Sequence, residues 1–270
     1  GGILPFTTAS CIGVTAVCAV LLIVWCFQDA KKRILTLPEG QWNLVYWEEL
    51  IFLVMFLLWT YLAGFRPQAY GTEKFMDYGF MEAMMRSVTL PAKDLWYSLE
   101  NINYYYGGQY FAVFLTKLTG TQVAVTYNLM RTFEAGLMFA LPCSLVWQLL
   151  RDRMGKSLVG KKKSIPVLGG LLTGVAVSMA GNMHYVIYAW IWPRLADLGI
   201  VSERDDYWFP DATRYIGHDP ETADKTIHEF PSYSFVLGDL HAHMVNLIFV
   251  ILILGILYAW MRQKRKQDRE

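Results

Sequence analysis

Charge is scarce in this sequence. Asp, Glu, Lys and Arg make up 17% of its 270 residues, against roughly 25% in an average soluble domain. The surface of an ordinary water-soluble protein is hard to build from so few. Cysteine is scarce too. Cys11, Cys18, Cys26 and Cys143 all fall in apolar segments, which excludes a disulfide framework in the loops and a CxxC metal site. They read as small packing residues, and the first three, seven and eight apart, share one face of a helix. There is no internal repeat and no low-complexity segment. The net charge is only +1, and no nucleic-acid partner is expected.

What the chain does have is long apolar runs. Residues 1–28 and 244–261 carry no charge, 50–65 and 135–150 carry none, and His184 is the sole ionisable side chain apart from tyrosine in 164–193. A spanning helix needs about 20 apolar residues, at ~1.5 Å rise each across ~30 Å of hydrocarbon. Five spans are predicted, at about 6–28, 45–65, 124–149, 165–187 and 242–262. The expected fold is therefore all-α, a polytopic transmembrane bundle forming one domain over 1–270. Runs this long disfavour a soluble helical protein with basic surface loops. The first span is too long, and too poor in flanking basic residues, for a cleaved signal peptide. The chain opens on Gly1-Gly2 without an initiator Met and is expected to be a piece of a longer protein.

The basic residues are not spread evenly. Lys31, Lys32 and Arg33 lie in one short stretch. Arg151, Arg153, Lys156 and Lys161 to Lys163 lie in a second. Arg262, Lys264, Arg265, Lys266 and Arg269 form a tail. These stretches hold fourteen of the 24 Lys and Arg residues and are alternate connections of the five-span layout. Basic connections mark the cytoplasmic side, which puts loops 66–123 and 188–241 outside. A bacterial or archaeal plasma membrane is the expected location, with the lipid bilayer as the first partner. Trp42, Tyr46 and Trp47, and Trp190 and Trp192, suit interfacial anchors. Pro193 and Arg194 are expected to end a helix running on from the fourth span. Gly170, Gly174 and Ser178 form a small-residue stripe that suits close helix packing.

Both outside loops are too long to be plain connectors. Residues 77–88 suit a short helix, and 109–118 suit an interfacial or re-entrant helix. The stretch 199–239 is acidic, with Glu203, Asp205, Asp206, Asp211, Asp219, Glu221, Asp224, Glu229 and Asp239 against Arg204, Arg214 and Lys225.

Four constellations could carry chemistry. Glu73 and Asp77, four apart, share a helix face, where one carboxylate near the membrane could act as a general base. The plain alternative is a solvated loop with Lys74 pairing a carboxylate. Tyr104, Tyr105 and Tyr106 before Gly107-Gly108 suit either a sugar-stacking surface or an aromatic belt. Glu229, Asp239, His241 and His243 gather at the mouth of the fifth span. The alternating Asp239, His241 and His243 form a candidate set for a divalent metal, or for phosphate if the imidazoles are protonated. The alternative is a hydrogen-bonded polar cap. Arg131 and Glu134, three apart within the third span, mark a functional path or a structural pair.

Several of these motifs recur together in a known family. Glu73-Lys74-x-x-Asp77, Pro91-Ala92-x-Asp94-x-Trp96 and Asn103-Tyr104-Tyr105-Tyr106-Gly107 resemble, in order, the YYY family of bacterial and archaeal membrane proteins. So do Thr213-Arg214, Thr226-Ile227-x-Glu229-Phe230-Pro231 and Gly238-Asp239-Leu240-His241-x-His243. The resemblance covers about residues 45–250. The family's layout is similar to that of GT-C membrane glycosyltransferases, though the tandem Asp-Glu of the mannosyltransferases is replaced here by a spaced Glu-x-x-x-Asp.

That resemblance implies glycosyl transfer from a polyprenyl-phosphate sugar to an acceptor on the non-cytoplasmic face. Asp77, and after it Glu73, would be the base. Tyr104 to Tyr106 would shape the sugar pocket. Arg131, Arg214 and His241 would offset charge on the departing phosphate. A transporter or flippase for a lipid-linked or polar solute is the alternative from another class, and a non-catalytic membrane subunit is the third.

Overall fold

The structure, a computed structural model, describes residues 3–32, 42–71, 73–203, 207–218 and 220–267. Gly1, Gly2, Arg33, Arg204, Asp205, Asp206, Asp219 and Arg269 lie outside the described residues. Among the described residues the chain is helical, with no β-strand. Four helices among the described residues are long and apolar enough to cross a membrane. They are α1 (Thr8–Lys32), α2 (Trp42–Ala63), α5 (Val123–Met154) and α9 (Ala242–Gln267). Much of their surface is exposed Leu, Val and Ile, such as Leu21, Val54 and Leu252. These side chains would be costly in water and are at home against lipid tails.

The fifth expected span, 165–187, is not one helix. Its first part, α6 (Ile165–Ser178), has 14 residues, roughly 21 Å at the α-helical rise. The backbone then leaves the helix through Gly181, Asn182 and Met183, the last at φ +64°. Asn182 holds the corner by donating to the Ala212 carbonyl. Hydropathy sees one apolar run here and cannot see that corner. Helix resumes at His184, passes through a π turn (Val186–Ile191) and continues as α7 (Trp192–Asp197). Pro193 therefore opens α7 and does not end a helix. The wider π turn before it accommodates a residue that has no N–H to donate.

The small-residue stripe explains how α6 packs. Gly170 faces the Cys143 carbonyl and Trp147 of α5, and Gly174 faces Phe139. Ser178, the third member, is fully buried and returns its hydroxyl to the Gly174 carbonyl. Successive contacts at 147, 143 and 139 show α6 running antiparallel to α5. Helix α2 packs on α5 beside α6, with Thr60 donating to the Thr132 hydroxyl at 3.0 Å and Leu171 of α6 joining Met55, Trp59 and Phe139 in one apolar cluster. Of the cysteines, Cys11 and Cys143 are buried as expected; Cys18 and Cys26 are exposed on α1.

The two long connections cover one end of this bundle. The first forms α3 (Lys74–Arg86) and α4 (Gly107–Thr119), the two short helices expected there. Lys117 near the end of α4 ties three segments together. Its ammonium donates to the carbonyls of Phe6 at 2.8 Å and Met85 at 3.1 Å, which closes the C-terminal end of α3. Burial pushes its pKa down. The Pro91–Trp96 motif builds a turn, with Asp94 accepting from the N–H groups of Trp96 and Tyr97. Trp96 then meets Phe80 edge-on at 5.8 Å. The second connection forms α7, a short 3-10 segment (Phe209–Thr213) and α8 (Pro231–Leu237), which leads into α9.

Candidate functional site

Helix α3 buries Asp77 with Phe80, Met81 and Met84, an i, i+3, i+4, i+7 stripe. The carboxylate thus sits on the core-facing side and is only 2% exposed. Helix α4 buries Gln109 in its own stripe with Ala112, Val113 and Thr116. The two polar side chains meet where the stripes face each other, and Gln109 Nε2 donates to Asp77 Oδ1 at 2.7 Å. The other Asp77 oxygen accepts from the Leu240 N–H at 3.2 Å. Burial pushes the Asp77 pKa up to about 7, against these two hydrogen bonds, with nearby Asp239 adding to the rise.

The segment 238–241 is brought here by one glycine. Gly238 ends α8 at φ +81°, a conformation that L side chains disfavour. A Cβ there would stand 1.9 Å from Arg131 Nη1. The close approach lets Arg131 donate to the Gly238 carbonyl at 3.0 Å, with the Tyr127 hydroxyl donating to the same oxygen at 3.4 Å. Arg131 also donates to the Asn128 side chain and the Arg66 carbonyl. It makes no ion pair with Glu134. The sequence-level pairing of Arg131 with Glu134 is replaced by a clamp on the Gly238 turn. Glu134 is buried, and its Oε1 has no hydrogen-bond partner among the described residues.

His241 stands among three carboxylates. Its Nε2 is 3.1 Å from Glu229 and 3.5 Å from Asp239, and its Nδ1 is 3.7 Å from Glu73. Nε2 is buried and off the line of a hydrogen bond to any of them. Glu229 is itself held by the Ser234 hydroxyl at 2.9 Å. The extended stretch ends at His241. His243 enters the first turn of α9, exposed, with its ring 5.2 Å from that of His241. The alternation expected of Asp239, His241 and His243 is therefore interrupted. Among the described residues, no set of three or more His, Cys, Asp or Glu side chains is arranged to hold a metal ion. The imidazole itself occupies the centre of the acidic ring.

Tyr104 lies beside this ring. Its hydroxyl donates to that of Tyr105 at 2.7 Å and the two aromatic rings are 3.9 Å apart. Burial, that bond and the nearby Glu73 all push the Tyr104 pKa up. Tyr105 is exposed, and Tyr106 precedes the first turn of α4. Arg214 stays apart from the carboxylates. It donates to the Pro210 carbonyl at 2.8 Å and stacks on Trp208.

Next to the carboxylates is a cavity of about 660 Å³. Its polar wall holds Arg66, Lys74 and Arg131, and its apolar wall includes Trp59, Leu62, Phe65 and Phe235. The Lys74 ammonium makes no hydrogen bond or ion pair among the described residues, so the plain alternative of pairing with a carboxylate is not made. Burial, and then the charge of Arg131, push its pKa down, with Asp239 opposing. Gln109, Arg66, Tyr127 and Ser234 are site residues that motif reading passed over. Gln109 had a signal, as the lone amide in an otherwise apolar helical run.

Residues 1–270 match the model of a family described as uncharacterized membrane protein (DUF2298). The chain belongs to the DUF2298 family. No curated protein and no solved structure gives a match. The match to DUF2298 covers the entire chain, including the first span and the basic tail that lie beyond the motif-bearing stretch 45–250.

Proposed function

We propose that this DUF2298 protein is a membrane glycosyltransferase that uses a polyprenyl-phosphate sugar as donor. The observation that carries the reading is the cavity in which three cations meet an apolar wall, with the buried Asp239 close enough to act on Lys74. Three like charges held together weaken one another, and Asp239 offsets this only in part at Lys74, so a further anion is favoured. An apolar wall against the same cations suits a phosphate bearing a lipid tail. The similarity of the motif order to GT-C enzymes supports the same donor class, and the alternation of basic connections supports a non-cytoplasmic face.

In this reading the acceptor hydroxyl loses its proton to a carboxylate as its oxygen attacks the anomeric carbon. The bond from that carbon to the phosphate oxygen breaks, and its electron pair leaves with the lipid phosphate. Lys74 and Arg131 offset that charge. Glu73 is the carboxylate an acceptor can touch, since half of its side chain is exposed. Asp77 has both oxygens engaged and is almost fully buried, which supports a positioning role through Leu240 and His241. The crowding of polar groups at one end of the bundle favours surface chemistry over transport.

The test is native mass spectrometry of the full-length protein in mild detergent with donor supplied. Wild type should retain a polyprenyl-phosphate sugar, and Lys74→Gln should weaken retention while leaving the fold intact. Glu73→Gln should keep the donor and stop transfer. Folded wild-type protein that retains no such lipid would overturn the reading.

A further inference from the structure

The opposite end of the bundle has a cavity of its own, and nothing in the proposed transfer uses it. It has a volume of about 1090 Å³ and lies where α5 and α9 end. Arg151, Arg262 and Arg265 line it, with Asp152 as the acid among them. Asp152 is already committed. Its Oδ1 accepts from Gln148 at 2.9 Å, and its Oδ2 accepts from the Tyr258 hydroxyl at 2.7 Å and lies 3.0 Å from Arg262 Nε. That contact fixes the Arg262 side chain through Nε and leaves its two terminal nitrogens without a partner among the described residues. Arg151 lies over the Trp147 ring at 5.1 Å. Among the described residues neither Arg151 nor Arg265 has an ion pair. The cavity therefore carries a positive excess with donors to spare.

A second cavity, of about 400 Å³, continues from it along the seam between α5 and α9. Tyr258, Ala259 and Arg262 line both. Beyond them the walls are mostly apolar, with Leu141, Leu145, Leu252 and Ile256; the polar members Ser144 and Gln148 are hydrogen-bonded to Glu48 and Asp152. The seam is open at Gly255, where a Cβ would meet nothing within 4 Å.

We infer that this end of the protein binds one anionic phospholipid, with its phosphate against Arg262 and Arg265 and one acyl chain in the seam between α5 and α9. A free phosphate would use only the cationic end. The apolar continuation at headgroup depth is what selects a lipid. The seat is about 30 Å along α5 from the Arg131 clamp, by rise per residue, and is independent of the transferase reading.

The experiment compares phosphatidylglycerol with phosphatidylcholine bound to the delipidated full-length protein. Wild type should prefer phosphatidylglycerol. Arg265→Gln, which leaves the Asp152 contacts in place, should weaken that lipid about fivefold, the ~1 kcal/mol that one Lys or Arg near an anionic membrane surface contributes. Gly255→Leu should block the chain and remove the preference without changing any charge. Thermal unfolding checks that both variants fold. Equal binding of the two lipids by wild type would overturn the inference. So would unchanged binding in folded Gly255→Leu, or soluble glycerol phosphate binding as tightly as the lipid.

Discussion

Leu240 donates its backbone N–H to Asp77 Oδ2 at 3.2 Å, across 163 residues of sequence. This bond joins the two long connections, and the burial that comes with it makes Asp77 sensitive to pH. The Asp77 carboxyl is raised from an ordinary 3.8 to about 7, chiefly by burial. Between those values the folded protein holds a proton that the unfolded chain releases. Stability should therefore fall as pH rises through this window and level off above it. The melting temperature in detergent is expected to be higher at pH 5.5 than at pH 8. Asp77→Asn should flatten that slope. An equally steep slope in the variant would assign the effect to another group.

Gln109 is the other half of that anchor. It is 1% exposed, and its amide is the side-chain donor to Asp77. Gln109→Leu keeps the volume but leaves a buried carboxyl short of a donor, which costs about 1–3 kcal/mol. Gln109→Glu should be worse above neutral pH, where a second buried acid faces Asp77. Melting curves of both variants at pH 6 and pH 8 check the order, and a Gln109→Glu protein as stable as wild type at pH 8 would refute it.

How much of this was legible beforehand depended on the kind of signal. Apolar runs marked α1, α2, α5 and α9, because lipid demands about 20 uninterrupted residues. They overran α6, because the corner at Asn182 is set by a hydrogen bond to Ala212 from a distant loop. Glu229 and Asp239 converge on His241, with which the sequence groups them; Glu73, which the sequence pairs with Asp77, joins them from the start of α3. Spacing alone could not show that His241 would fill the centre of the ring and leave His243 on the first turn of α9. Nor could it distinguish the exposed Glu73 from the buried Asp77, since that depends on which face of α3 meets α4. Arg131 was visible as a charge within a span, but its partner, the Gly238 carbonyl, is 107 residues away and is backbone.

Gly238 should tolerate no side chain. Its positive φ alone costs an L residue roughly 1–2 kcal/mol. A methyl group would also displace the Arg131 guanidinium, whose Nη1 is 1.9 Å from the Cβ position. Gly199 has φ +69° and nothing within 4 Å of its Cβ position, so it isolates the backbone cost. Gly199→Ala is expected to lower the melting temperature slightly, and Gly238→Ala to lower it clearly more and to loosen the cavity at Arg131. Equal shifts would mean that Arg131 does not need the space.

The packing of α6 on α5 gives a sharper comparison within one pair of helices. A Cβ at Gly170 would stand 2.7 Å from the Cys143 carbonyl oxygen, which is backbone and cannot rotate away. A Cβ at Gly174 would meet the Phe139 ring at 2.8 Å, and a side chain can shift its rotamer. Overpacking of this kind costs about 1–3 kcal/mol, and the fixed neighbour belongs at the upper end of that range. Gly170→Ala should therefore destabilise the detergent-solubilised protein more than Gly174→Ala, though the two changes add the same methyl group one turn apart. If Gly174→Ala proved the more harmful, the limit on approach would be the Phe139 ring and not the α5 backbone.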